Sequence, residues 1–117
     1  MKILANDGIS ESGKNLLLKK GFEVLTENIP QDELIEYIIN NNIVVLLVRS
    51  ATTARKDLID SCKSLKIIGR GGVGMDNIDV EYAREKGIEV INTPAASSAS
   101  VAELVFSHLY GGVRFLQ

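Results

Sequence analysis

The chain has little of what usually marks a secreted, metal-binding or nucleic-acid-binding protein. In 117 residues there is one cysteine, one histidine, no tryptophan and two prolines. Cys62, standing alone, excludes an internal disulfide and suits a reducing cytoplasm. Sharing a helical turn with Leu58 and Ile59, it reads as a small core residue rather than a nucleophile. His108 lies at helical spacing with Val101, Leu104, Val105 and Leu109, which predicts a packed helix residue rather than an acid or base. Thirteen Lys and Arg against fifteen Asp and Glu leave a net charge of −2 with no basic cluster. That argues against a nucleic-acid or anionic-membrane surface. The opening "MKILAND" lacks the apolar core of a signal peptide, and no apolar stretch approaches membrane-spanning length. A soluble cytoplasmic protein is the expectation.

What is present is a regular alternation. "KILAN" (2–6) reads as a strand, residues 10–21 as a helix stopped at Gly21, and "FEVLTE" as a second strand. "PQDELIEYIINN" predicts a helix with Pro30 in the first helical position and Leu34, Ile35, Ile38 and Ile39 on one face. The unbroken apolar run "IVVLLV" (43–48) has the pattern of a central parallel strand buried on both faces. "TARKDLIDSC" predicts a helix capped by Thr53, "KIIG" a fourth strand, "DVEYAREKG" a short helix ending at Gly87, and "IEVIN" a fifth strand. The longest predicted helix is "SVAELVFSHLYGGVRFL" (100–116). Alternation without hairpin signals, joined by right-handed crossovers, predicts an α/β, flavodoxin-like, doubly wound parallel sheet of five strands in the order 2-1-3-4-5. "NTPAASSAS" (92–100) is the one candidate hinge, dividing a domain at 1–93 from a hinge and long helix at 94–117.

Gly69-Arg-Gly71-Gly-Val-Gly74 matches the G-x-G-x-x-G of dinucleotide-binding folds. Three features speak against that reading. The run follows the fourth strand rather than the first. The next helix waits for an N-cap at Asn77 or Asp79, well past the last glycine. The acid some 20 residues on would be Glu89, inside the fifth strand rather than at its carboxyl tip. Glycines at 71, 72 and 74 could instead offer several backbone N–H groups to a small anion, with Arg70 adding charge; a plain tight turn is the alternative. The predicted sheet brings Asn6-Asp7-Gly8 and Val48-Arg49-Ser50 to the same edge, and Arg49 suits a carboxylate or phosphate. Together these residues predict a pocket for a small acidic metabolite. A phospho-accepting receiver domain is excluded, because strand three ends in Arg49 where that chemistry needs an aspartate. A flavin carrier fits poorly, since "NDGISESG" is no phosphate cradle.

Ser100-Val-Ala-Glu103 forms a capping box, reason enough for Glu103 without a catalytic role. The helix beyond it is apolar on nearly all sides and needs burial on nearly all sides, which one layer of sheet cannot give.

"VRSATT" and "KIIGRGGVGMDNIDVEYAREKGIEVINTPAASSASVAEL" resemble the D-isomer-specific 2-hydroxyacid dehydrogenases. The resemblance covers essentially the whole chain and corresponds to the substrate-binding domain, the first hinge and the helix leading to an absent Rossmann domain. It implies that Arg49 and Ser50 sit near the substrate's acidic end and that Gly71 and Gly72 donate amides to its carboxylate. It also implies that Val73 lines the nicotinamide side, with Ser97 and Val101 near the cofactor. That cofactor would be NAD, bound mainly by the absent domain. No metal site is implied, and no catalytic residue falls within 1–117, so the chain alone is expected to be inactive. The implied partners are a small anionic 2-hydroxy acid and a second copy, joined as a homodimer through the 100–116 region. Arg49 and Arg70 lean towards a phosphate-bearing substrate such as 3-phosphoglycerate, oxidised at its 2-hydroxyl on entry to serine synthesis. Hydroxypyruvate or glyoxylate reduction is the alternative within the family, and a free-standing small-acid-binding module the alternative outside it.

Overall fold

A computed structural model describes residues 1–9, 11–71 and 76–93. The elements are β1 (Lys2–Ala5), α1 (Glu11–Lys19), β2 (Glu23–Leu25), α2 (Gln31–Asn41), β3 (Ile43–Val48), α3 (Lys56–Ser61), β4 (Ile67–Gly71), α4 (Val80–Glu85) and β5 (Glu89–Thr93). All strands pair in parallel in the order β2-β1-β3-β4-β5, as the alternation predicted. The predicted helix at 100–116, with Ser97 and Val101 nearby, and the hinge beyond Thr93 lie outside the described residues.

The chain leaves β1 for β2 in one direction and then steps the other way through β3, β4 and β5. With right-handed crossovers, that reversal puts α1 on one face of the sheet and α2, α3 and α4 on the other. The buried side chains divide accordingly. Leu4, Leu46, Val48, Ile68 and Val90 pack under Leu34, Ile38, Leu58 and Ala83. Ile3, Ala5, Val45, Leu47, Ile67 and Ile91 form a second cluster with Leu17 and Phe22. β3 contributes to both clusters, which is why its sequence shows no polar alternation. Gly21 and Gly87 follow α1 and α4 with φ of 96° and 85°, a left-handed turn that sends the chain back to the sheet.

Three local expectations are corrected. Pro30 is the N-cap of α2, one residue ahead of the predicted first turn, with an extended ψ of 146°. Ile39 is 47% exposed, because α2 buries the Leu34–Ile38 stripe and Ile39 lies a further 100° round the helix. Thr53 does not cap α3. Ala54 is extended and bridges to Ile78, which delays the helix to Lys56 with Arg55 as N-cap. The capping acceptor comes instead from Asp79, whose Oδ2 takes the Lys56 N–H at 3.0 Å while its Oδ1 pairs with Arg55 at 3.2 Å. The main chain of Thr53 is bracketed by Gln31, which accepts its N–H at 2.9 Å and donates to its carbonyl at 3.0 Å.

Cys62 is 1% exposed in the α2–α4 cluster, as its spacing predicted. Burial, helped by the charge of Asp57, pushes its thiol from an ordinary value of 9.0 up to about 11. The folded chain is therefore expected to resist alkylation by iodoacetamide at mildly alkaline pH and to react fully in denaturant, followed by mass spectrometry. The unfolded thiol releases its proton at lower pH than the folded one. Stability should therefore fall as pH rises from 9 towards 11 and show no pH dependence from Cys62 below that window, where its contribution is fully present. Fast labelling of the folded chain would place Cys62 at the surface.

Candidate functional site

Parallel strands all point their carboxyl ends to one edge, and the loops leaving that edge carry the candidate residues. Val48 stands opposite Arg70, Arg70 opposite Asn92, and Gly71 opposite Thr93, so the ends of β3, β4 and β5 are in step. Arg49 and Ser50 follow directly on β3 and are exposed. Arg70 is half-buried beside them, its Nε 3.4 Å from the Arg49 carbonyl oxygen. The structure thus brings Arg49, Ser50, Arg70 and Gly71 to one edge. Gly72 and Val73, like Ser97 and Val101, lie outside the described residues.

Asn6 and Asp7 are at this edge too, but they serve the chain's own loops. Asn6 is 2% exposed. Its Nδ2 donates to the Ile29 carbonyl at 3.1 Å and to Thr52 Oγ1 at 3.0 Å, and its Oδ1 accepts the Ile29 N–H at 2.7 Å. Asp7 Oδ2 accepts the Arg49 N–H at 2.6 Å and the Thr52 N–H at 3.1 Å, and its Oδ1 accepts the Thr52 hydroxyl at 2.6 Å. From the other side, Asn77 Nδ2 donates to the Arg49 and Thr52 carbonyls, each at 2.6 Å. The Arg49–Thr52 turn is therefore gripped from β1 and from the segment before α4. Its backbone is fixed while the Arg49 side chain remains exposed. Sequence reasoning missed Thr52 altogether and took Asn77 only as a helix cap; Asp79 is the N-cap residue of α4, and its carboxylate serves α3 instead.

The glycine question has a structural answer. Gly69 lies inside β4, paired with Leu47 and Ile91 on its two sides. A Cβ there would stand 2.8 Å from Leu47 Cδ2 and 3.4 Å from Ile91 Cγ1, so the position is small because its neighbours close over it. The G-x-G half of the motif is strand, not the tight turn that opens a dinucleotide site. Glu89 begins β5 opposite Ile67, at the amino end of the sheet and away from the arginines. The described residues therefore do not form a cradle for the pyrophosphate of NAD. Among them there is also no group of three or more His, Cys, Asp or Glu able to hold a metal ion, and no helix long and apolar enough to cross a membrane.

Comparison with known proteins agrees with this architecture. Over 116 residues the chain is 44% identical to the hydroxypyruvate reductase of Thermotoga maritima, covering 98% of this chain and 37% of that protein. Over 114 residues it is 44% identical to the D-3-phosphoglycerate dehydrogenase of Methanocaldococcus jannaschii, covering 97% of this chain and 21% of that protein. The NAD+-bound 3-phosphoglycerate dehydrogenase of Entamoeba histolytica superposes with a TM-score of 0.68 at 32% identity, over 80% of this chain and 33% of that one. The chain thus spans between 21% and 37% of the length of these relatives. The model of the D-isomer specific 2-hydroxyacid dehydrogenase catalytic domain matches residues 3–109, and the chain belongs to that family.

Proposed function

We propose that the chain is the substrate-binding part of an NAD-dependent D-2-hydroxyacid dehydrogenase that oxidises 3-phosphoglycerate at its 2-hydroxyl, feeding serine biosynthesis in the cytoplasm. The observation that carries this reading is Arg49, exposed at the carboxyl edge with its main chain held on both sides and Arg70 close behind. An arginine on a fixed main chain, with a second arginine on the neighbouring strand, suits a substrate with two anionic ends. Arg49 and Ser50 take one acidic end, and the amides of Gly71 and Gly72 take the carboxylate. Val73 lines the nicotinamide side and Ser97 and Val101 meet the cofactor, while the rest of the cofactor site and the acid–base group for the hydroxyl belong to polypeptide outside 1–117. In this reading residues 1–93 are the substrate domain, 94–117 lead to the dinucleotide domain, and the 100–116 region joins two subunits.

Equal identity, 44%, to a hydroxypyruvate reductase supports a second reading in which the substrate is a small 2-keto acid without phosphate. The deciding experiment measures the mass of the native polypeptide in its source cells and then assays that polypeptide for NAD reduction with 3-phosphoglycerate and NADH oxidation with hydroxypyruvate. A mass well above that of 117 residues, with 3-phosphoglycerate the better substrate by kcat/KM, is the expected result. Preference for hydroxypyruvate would move the proposal to the second reading. A native mass equal to this chain would overturn both and leave a small-acid-binding module.

A further inference from the structure

Two side chains tie the Arg49 loop to the glycine segment: Arg70, inside the glycine run, with its Nε 3.4 Å from the Arg49 carbonyl oxygen, and Asn77, just after it. The Asn77 amide gives both of its N–H bonds to the loop, to the Arg49 and Thr52 carbonyls at 2.6 Å each. The flanking backbone adds two more links: Ala54 N–H donates to the Asn77 carbonyl at 2.9 Å, and Asp79 N–H to the Ala54 carbonyl at 3.0 Å. Asn77 Oδ1 is left buried without a partner, so the side chain is spent wholly on donating. The Arg49 peptide is thereby fixed at both ends, its N–H on Asp7 and its carbonyl on Asn77.

We infer that Asn77 is a positioning residue, acting on substrate through Arg49. A long arginine side chain reaches an anion productively only if its Cα is fixed. Asp7 on the Arg49 N–H, with Asn77 and Arg70 on its carbonyl, hold the main chain from which the Arg49 side chain leaves the strand end. This inference rests on the proposed role of Arg49 as the anion anchor.

The test is a double-mutant cycle on the full native polypeptide that contains this chain, with dissociation constants for 3-phosphoglycerate taken from calorimetric titrations well below the melting temperature of every variant. Asn77→Ala should weaken binding about tenfold when Arg49 is present, a size usual for groups sharing one hydrogen-bond network, and hardly at all in an Arg49→Ala background. A merely structural role would weaken both backgrounds alike, and that result overturns the inference, as does an unchanged constant in Asn77→Ala. Asn77→Leu, close in volume, repeats the cycle if Asn77→Ala does not fold. Failure of the unmutated polypeptide to bind 3-phosphoglycerate, or binding indifferent to Arg49→Ala, would strike at the site reading itself. Arg49-dependent binding with no coupling removes only the role of Asn77.

Discussion

Leu46→Ala is expected to lower the unfolding free energy by about 3–4 kcal/mol, the largest stability loss of any single truncation proposed for this chain. Leu46 is 0% exposed, at the middle of β3, with Leu4 and Ile68 paired on either side and the α2–α4 layer above. Truncation removes the transfer free energy of three carbons. It also leaves a hole that a central strand, hydrogen-bonded along both edges, cannot move to fill. Against a total of roughly 5–15 kcal/mol for an ordinary domain, that is a large fraction. Urea unfolding should show a lower midpoint with an unchanged slope, since the surface exposed on unfolding barely changes. A loss below about 1 kcal/mol would mean that the interior relaxes around the gap, at odds with native packing density.

The same strand shows why the fold was legible from sequence. A run of six apolar residues has one stable place in an α/β chain, between two layers, and the short helical periods on either side supply those layers. Strand order then followed from crossover handedness, without any knowledge of contacts. What sequence did not reveal was decided by contacts across the chain. Thr53 has the chemistry of an N-cap, but the Ala54–Ile78 bridge stretches its neighbourhood and Asp79 supplies the acceptor from another loop. Ile39 fits the apolar period, yet α2 turns Leu34 and Ile38 to the core and leaves Ile39 in solvent.

The site divides in the same way. Arg49 was visible because an arginine directly after a buried strand lies at the ligand edge of any open parallel sheet. Gly69 was misleading on its face: its smallness answers to Leu47 and Ile91 and not to a phosphate. Asn6 and Asp7, grouped with the ligand pocket on position alone, are consumed by Ile29, Thr52 and the Arg49 peptide. Polar residues that hold a loop and polar residues that hold a ligand share composition and location. They differ only in where their hydrogen bonds go, which no single-sequence pattern encodes.

Arg49→Ala is expected to weaken 3-phosphoglycerate binding roughly 10- to 100-fold, the size of a charge-assisted hydrogen-bond pair lost from a partly solvated site. Its stability should stay within about 0.5 kcal/mol of the parent, because the side chain is exposed and the bonds to Asp7 and Asn77 belong to the main chain, which alanine keeps. Arg49→Lys retains the charge but not the planar fork, and should fall between the two. Because the contact is exposed, all three differences should shrink as ionic strength rises. Comparing ligands assigns the end that Arg49 holds. If it grips the phosphate, D-glycerate should bind weakly and respond little to the substitution, while 3-phosphoglycerate responds strongly. If it grips the carboxylate, both ligands should lose affinity by the same factor. A parent chain that binds 3-phosphoglycerate with no dependence on residue 49 would place the anion elsewhere on the edge. Arg70, whose side chain already reaches the Arg49 carbonyl, would then be the group to replace next.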